Sequence, residues 1–173
     1  LNLRDRTFSE LSGPLWLSQA APLGWMFVER ATMLTFGTGE LSLRLLPLLF
    51  GIGTIAATLW AGARWLNPLS TMLLVPLVSI GQWMSHYRFE VKHYSADAFF
   101  AFLLPALAVW AAEVDEVEQA RWRWTRWWIV AALAQWLAYG ALLVTPACAL
   151  LLAGLILRRH GMRAAMHFSI AGV

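Results

Sequence analysis

The sequence predicts an all-α fold, a polytopic bundle of membrane-spanning helices, and three observations carry that reading. Hydrophobic residues make up 60% of the 173 positions and charged residues 13%, with a mean hydropathy of +0.59, a balance that leaves too little polar surface to cover a soluble core. Long apolar runs alternate with short charged knots, the pattern of helices that cross a bilayer and the turns between them. The densest knot, His86 to Asp97 (HYRFEVKHYSAD), lies between two such runs. Ionisable groups kept between membrane segments are costly and mark a functional site by default.

In chain order, residues Leu1 to Pro22 are turn-rich. Thr7-Phe-Ser-Glu10 has the pattern of a capping box that opens a short helix, and Ser12-Gly13-Pro14 ends it. Between Pro22 and Gly37 the run LGWMFVERATMLTF reads as a helix with Pro at its start and Gly at its stop. About 14 residues is too short to cross a bilayer, so this helix is expected to lie at the interface or to re-enter the membrane.

About five spans are expected after it: Leu45 to Ala63, Leu69 to Met84, Ala98 to Ala112 with a backward extension through a Ser95-Ala96-Asp97 cap, Trp127 to Leu143, and a short Thr145 to Leu157. Pro47, Pro76, Pro105 and Pro146 fall within or at the starts of these runs, where packed neighbours support a kinked helix. The expected organisation is one domain over residues 1–173, with residues 1–40 an outer loop of interfacial helices and residues 41–173 the transmembrane helices. Leu1 begins in mid-pattern, without methionine or signal peptide, and His167 to Val173 (HFSIAGV) reads as the opening turns of another apolar helix. The chain is therefore expected to be part of a longer membrane protein, with an N-terminal span and a C-terminal part missing.

Alternation of the spans puts Arg64, Arg121, Arg123, Arg126, Arg158, Arg159 and Arg163 on one side of the membrane. On the other side Arg4, Arg6, Arg30, Arg44, Arg88 and Lys92 are interleaved with Asp5, Glu10, Glu29, Glu40, Glu90 and Asp97. The first set is expected to anchor the inner face; the second has the mixed charge of a polar site on the outer face. The run Arg121 to Trp128 (RWRWTRWW) fits an aromatic belt at the inner interface better than a nucleic-acid patch, and Glu113 to Glu118 fits a solvated connector. A formal charge of +3 gives no support to a nucleic-acid partner. Cys148, the single cysteine, excludes an internal disulfide and a cysteine-based zinc cage and is expected to pack in the core.

Asp97 is the strongest candidate for chemistry. In the first turn of a span it suits a cation site or a general base, or it complements the helix dipole with Ser95 as cap. Lys92 and Arg88 offer donors to a phosphate oxygen, or they snorkel and pair with Glu90. His86 and His93 stand seven apart without a zinc pattern between them. Gln19 is a polar tip in a turn. Arg44 is an ion-paired helix start beside Glu40 or a second anion contact, and Tyr94 is an interfacial aromatic or a donor to a sugar.

Taken in order, Gln19-Ala-Ala-Pro22, Gly39-Glu40-Leu-Ser-Leu-Arg44-Leu-Leu-Pro47, Leu49-Phe50-Gly51 and Glu90-Val-Lys92-His-Tyr94-Ser-Ala-Asp97 resemble the membrane glycosyltransferases of the protein-mannosyltransferase type (glycosyltransferase family 39, C-type fold). The similarity runs over roughly Leu1 to Glu113 and becomes generic hydropathy afterwards. The resemblance implies a multi-span enzyme of the bacterial inner membrane that moves a sugar from a polyprenyl-phosphate donor to a lipid, glycan or protein acceptor on the extracytoplasmic face. In that family an acidic pair after the first span supplies the base or a metal contact; LNLRDRTF resembles the sequence that follows the pair, and Asp5 does not match it, so the resemblance implies a principal base upstream of Leu1 and a piece that is inactive alone. Asp97 matches the acidic position that opens a later span, so it is the expected catalytic residue and the contact for a divalent cation (Mg or Mn). Arg44 matches an Arg-Leu-Pro motif and Lys92 and Tyr94 a variant of the outer-loop signature, so these, with Glu90 beside them, are the expected substrate contacts. Gln19, the remaining one, departs from the charged residue that many relatives carry there. The expected partners are the donor, the acceptor and membrane lipids, with no nucleic acid. The rival expectations are a transporter or flippase subunit and a non-catalytic scaffold whose charges are internal ion pairs.

Overall fold

The computed structural model describes residues 2–13, 20–80 and 92–172, and all regular structure among them is helical. The order is α1 (Asn2–Asp5), α2 (Phe8–Leu11), α3 (Leu23–Phe36), α4 (Glu40–Trp65), α5 (Pro68–Ile80), α6 (Tyr94–Ala112), α7 (Val117–Leu137), α8 (Ala141–His160) and α9 (Met162–Ile170). Among the described residues α4, α6 and α8 are long and apolar enough to cross a membrane. With 26, 19 and 20 residues, they rise about 39, 28 and 30 Å, against a hydrocarbon core of about 30 Å. Exposed Leu48, Leu49 and Ile52 on α4, Val109 on α6 and Leu142, Leu143 and Leu150 on α8 cover their flanks, which suits an integral membrane protein and would be a liability in water.

The N-terminal elements follow their local chemistry closely. Thr7 donates its backbone N–H to Glu10 Oε2 at 2.7 Å, which fixes the single turn of α2. Helix α3 starts after Pro22 and stops at Gly37, whose φ of 88° lies in the left-handed region that glycine adopts without a Cβ penalty. Phe8 meets Phe27 edge-on at 5.7 Å, and Arg30 donates to the carbonyl of Leu3, so α1 and α2 are held against the outer side of α3.

Helix α4 runs alongside α6 in the same direction. Phe50 meets Phe99 and Phe100 at 5.5 and 5.8 Å near one end, and Arg64 pairs with Glu113 at the other. The buried face of α4 is small and polar, with Thr54, Ala57, Thr58, Ala61 and Gly62. Thr54 and Thr58 satisfy their hydroxyls on the carbonyls of Phe50 and Thr54, each at 2.8 Å, so small residues let helices approach without stranding a polar group.

Three boundaries differ from expectation. The expected span from Trp127 to Leu143 is broken at Ala138–Gly140, because α7 runs from Val117 to Leu137 and α8 starts at Ala141. The charges Glu118, Arg121, Arg123 and Arg126 conceal the start of α7, yet Ala120, Trp124, Trp127, Ala131 and Ala134 recur at helical spacing on its buried face. The expected fifth span is not short: α8 extends through His160. Residues His167 to Ile170 form the end of α9 instead of opening a new helix, and Phe168 is buried against the Trp127 and Trp128 rings, at 6.0 and 5.2 Å. The expected Leu69 to Met84 span starts as α5 and passes beyond Ile80 outside the described residues.

The tryptophan run is a belt only in part. Trp122 is exposed, but Trp124 and Trp127 are core residues, and Trp127 donates its indole N–H to the carbonyl of Leu104 at 3.0 Å. Glu113 likewise is no free connector. It accepts the Arg64 guanidinium at 2.5 and 2.9 Å and the indole N–H of Trp65, with Arg123 at 3.9 Å. Burial raises the Glu113 pKa, but these donors outweigh it and the net direction is downward. Arg159 reaches the carbonyl of Ala112 at 2.6 Å. Arginines from α4, α7 and α8 thus gather at one end of the bundle, and the first turn of α6 stands at the other.

Candidate functional site

The site is built on the start of α6. That helix opens at Tyr94, with His93 in the N-cap position, so Ser95 falls inside the first turn and does not cap it. The Ser95 hydroxyl is buried and has no hydrogen-bond partner among the described residues. Asp97 donates its backbone N–H to the His93 carbonyl at 2.9 Å. Its carboxylate does two things: Oδ1 accepts the backbone N–H of Gly140 at 2.8 Å, and Oδ2 lies 3.4 Å from His93 Nε2. Since Gly140 precedes α8, Asp97 ties the start of α6 to the turn between α7 and α8.

Aromatic rings enclose the imidazole. Tyr94 and Tyr139 each stand 5.1 Å from the His93 ring, Tyr139 edge-on. Burial is the largest influence on His93 and lowers its pKa below the ordinary value; Asp97 pulls the other way and Lys92 adds to the lowering. The Lys92 ammonium lies 5.4 Å from the centre of the Tyr94 ring, on the exposed side. Chemically, a carboxylate beside a neutral imidazole can orient that imidazole to accept a proton, and a cation two residues before the helix can meet an anionic oxygen.

The expected site residues therefore divide into three groups. Lys92, Tyr94 and Asp97 share the start of α6. Arg44 lies at the same end of the bundle, in the second turn of α4, where it pairs with Glu40 at 2.5 Å as its spacing suggests. Gln19 and Glu90, with His86 and Arg88, lie outside the described residues. Among the described residues no three His, Cys, Asp or Glu side chains gather as metal ligands.

Two features escaped the sequence reading. One is Gly140, whose pairing with Asp97 joins residues 43 positions apart and leaves no local signal. The other is Glu29, read there only as one of the outer charges. Its side chain is fully buried and both carboxylate oxygens lack a partner among the described residues. Burial pushes its pKa up to about 7. The available signal was position: Glu29 falls four residues after Trp25 and four before Met33, on the buried stripe of α3. Gln135 Oε1, on α7 near the same end, is a further buried oxygen without a partner among the described residues. Buried polar atoms in excess of their internal partners call for water or a ligand.

No family model matches this chain, and no curated protein or solved structure matches it either.

Proposed function

We propose that the protein transfers a sugar from a polyprenyl-phosphate donor to an acceptor hydroxyl at the α6-start end of the bundle, facing the extracytoplasmic side of an inner membrane. The observation that carries the reading is the placement of Lys92, Tyr94, His93 and Asp97 around one helix start. The order of motifs shared with the protein-mannosyltransferase type adds to it. In this reading α5 and the whole of α7, whose 21 residues rise about 31 Å, carry the chain back between α4, α6 and α8 and make five crossings, with the arginine-rich end on the cytoplasmic side as the positive-inside rule prefers.

The acceptor oxygen attacks the anomeric carbon, the bond from that carbon to the donor phosphate breaks, and polyprenyl phosphate leaves with the electron pair. Lys92 and Arg44 stabilise the charge that develops on the phosphate. The acceptor proton passes to the His93–Asp97 pair, in which burial keeps the imidazole neutral and Asp97 holds it. Among the described residues, Asp97 Oδ2 and His93 Nε2 are the side-chain atoms that could meet a divalent ion here. An Mg or Mn ion that arrives with the donor would complete its sphere from phosphate oxygens and water.

Asp97→Asn separates chemistry from folding, because an amide oxygen can still accept the Gly140 N–H. In the full-length protein, transfer of labelled sugar is expected to fall by at least tenfold while thermal stability stays near that of the parent. Unchanged turnover removes Asp97 from the mechanism. Movement of intact donor across vesicles without covalent transfer makes the protein a flippase or transporter instead.

A further inference from the structure

We infer that the arginine end of the bundle binds anionic phospholipid, one acyl chain lying in an apolar groove between α6 and α8 with its headgroup on Arg158. The groove encloses about 450 Å³ and is lined by Pro105 and Val109 of α6 and by Leu151, Gly154, Leu155 and Arg158 of α8. Its lining is apolar until Arg158, which is exposed and has no ion-pair partner among the described residues. From Cys148 to Arg158 the groove follows α8 for ten residues, a rise of about 15 Å and half of a hydrocarbon core of about 30 Å. That is the depth of one leaflet, so a chain seated in it brings its headgroup level with the guanidinium. Arg159, the next residue, is already committed to the carbonyl of Ala112.

The groove is open at Gly154, where an added Cβ would meet nothing within 4 Å. Charge selects the occupant: a zwitterionic headgroup would bring its own cation to Arg158, whereas phosphatidylglycerol brings only the phosphate that the guanidinium binds in two-pronged fashion.

A second groove repeats the arrangement on another side of α6. It encloses about 420 Å³ between Trp60 of α4, Leu107 and Trp110 of α6, and Arg126, Ile129 and Val130 of α7. The Arg126 guanidinium folds back over the Trp122 ring at 3.2 Å, toward the arginine end. Two grooves ending in an arginine at the same end point to one leaflet, the one rich in anionic lipid, and set the orientation independently of any catalytic reading.

The test uses the full-length protein in nanodiscs that contain phosphatidylglycerol and phosphatidylcholine in equal amounts, with retained lipid counted by native mass spectrometry. Phosphatidylglycerol is expected to be retained at least fivefold over phosphatidylcholine. Arg158→Gln should cut that preference by threefold or more, and Gly154→Leu, which fills the groove without touching charge, should cut it similarly. Circular dichroism and thermal unfolding confirm that both variants fold. Equal retention of the two lipids, or a preference that neither variant alters, overturns the proposal. Retention of neither lipid means that protein fills the groove, and displacement of phosphatidylglycerol by a small molar fraction of polyprenyl phosphate means that the donor does. Either result also overturns it.

Discussion

The Asp97 carboxylate accepts the backbone N–H of Gly140 at 2.8 Å, linking the first turn of α6 to the turn from which α8 departs. Without that acceptor the Gly140 N–H would be stranded in a half-buried junction, and leaving such a donor unpaired costs about 1–3 kcal/mol. Asp97→Ala should lose about that much stability by chemical denaturation in detergent, and Asp97→Asn less than half of it. The Gly140 conformation is ordinary for an L-residue, and an added Cβ would stand 3.4 Å from Asp97 Oδ1, in normal contact. Gly140→Ala should therefore be neutral or slightly stabilising, by up to about 1 kcal/mol. Equal losses in Asp97→Asn and Asp97→Ala would show that the hydrogen bond is not what matters there.

Glu29 sets a pH dependence of stability. Its folded pKa, about 7, stands above the ordinary value of 4.5, so the folded state holds the proton more tightly than the unfolded chain. The stability this contributes is fully present below pH 4.5, declines as pH rises toward 7, and is lost above it. Glu29→Gln keeps the neutral shape and removes the ionisation. It should raise the melting temperature at pH 8 by several degrees, leave it unchanged near pH 4.5, and flatten the slope between. A parallel shift of both curves at every pH would contradict this assignment.

Helix α3 docks on α7 through a contact that tolerates no side chain. A Cβ on Gly24 would lie 2.5 Å from the Trp136 carbonyl oxygen, a backbone atom that cannot turn aside. Gly24→Ala should destabilise by about 1–3 kcal/mol and speed proteolysis within α3 before the rest of the bundle. Protection equal to the parent's would mean that α3 is not seated there.

At the arginine end, Arg64 and Glu113 are paired but 40% and 31% exposed. A double-mutant cycle with Arg64→Ala and Glu113→Ala should give a coupling near 0.5–1 kcal/mol that shrinks as salt rises. A coupling of several kcal/mol that resists salt would mean that the pair is shielded from solvent.

Much of this arrangement was legible in the sequence. Pro22 and Gly37 bracket α3 because each has a backbone duty that does not depend on the rest of the fold. Grouping Arg64 with Arg123 and Arg159 followed from alternation alone, and their convergence on Glu113 and Ala112 agrees with it. The start of α7 was hidden because Arg121, Arg123 and Arg126 dominate its composition, while the small and aromatic face that packs shows only as a helical period. In the sequence Glu29 looks like one outer charge among several, because charge type is visible there and burial is not. Of the candidate site, the cluster of Lys92, Tyr94 and Asp97 was readable by proximity along the chain; its partners Tyr139 and Gly140 arrive from another helix junction and were not.

Both halves of the donor can be followed at once, with the full-length protein in proteoliposomes and polyprenyl-phosphate sugar labelled separately in lipid and sugar. Covalently labelled acceptor should appear with an equal amount of free polyprenyl phosphate, and both should fall together in Lys92→Ala. Donor that crosses the bilayer with its two labels still joined, and no labelled acceptor, would contradict the account.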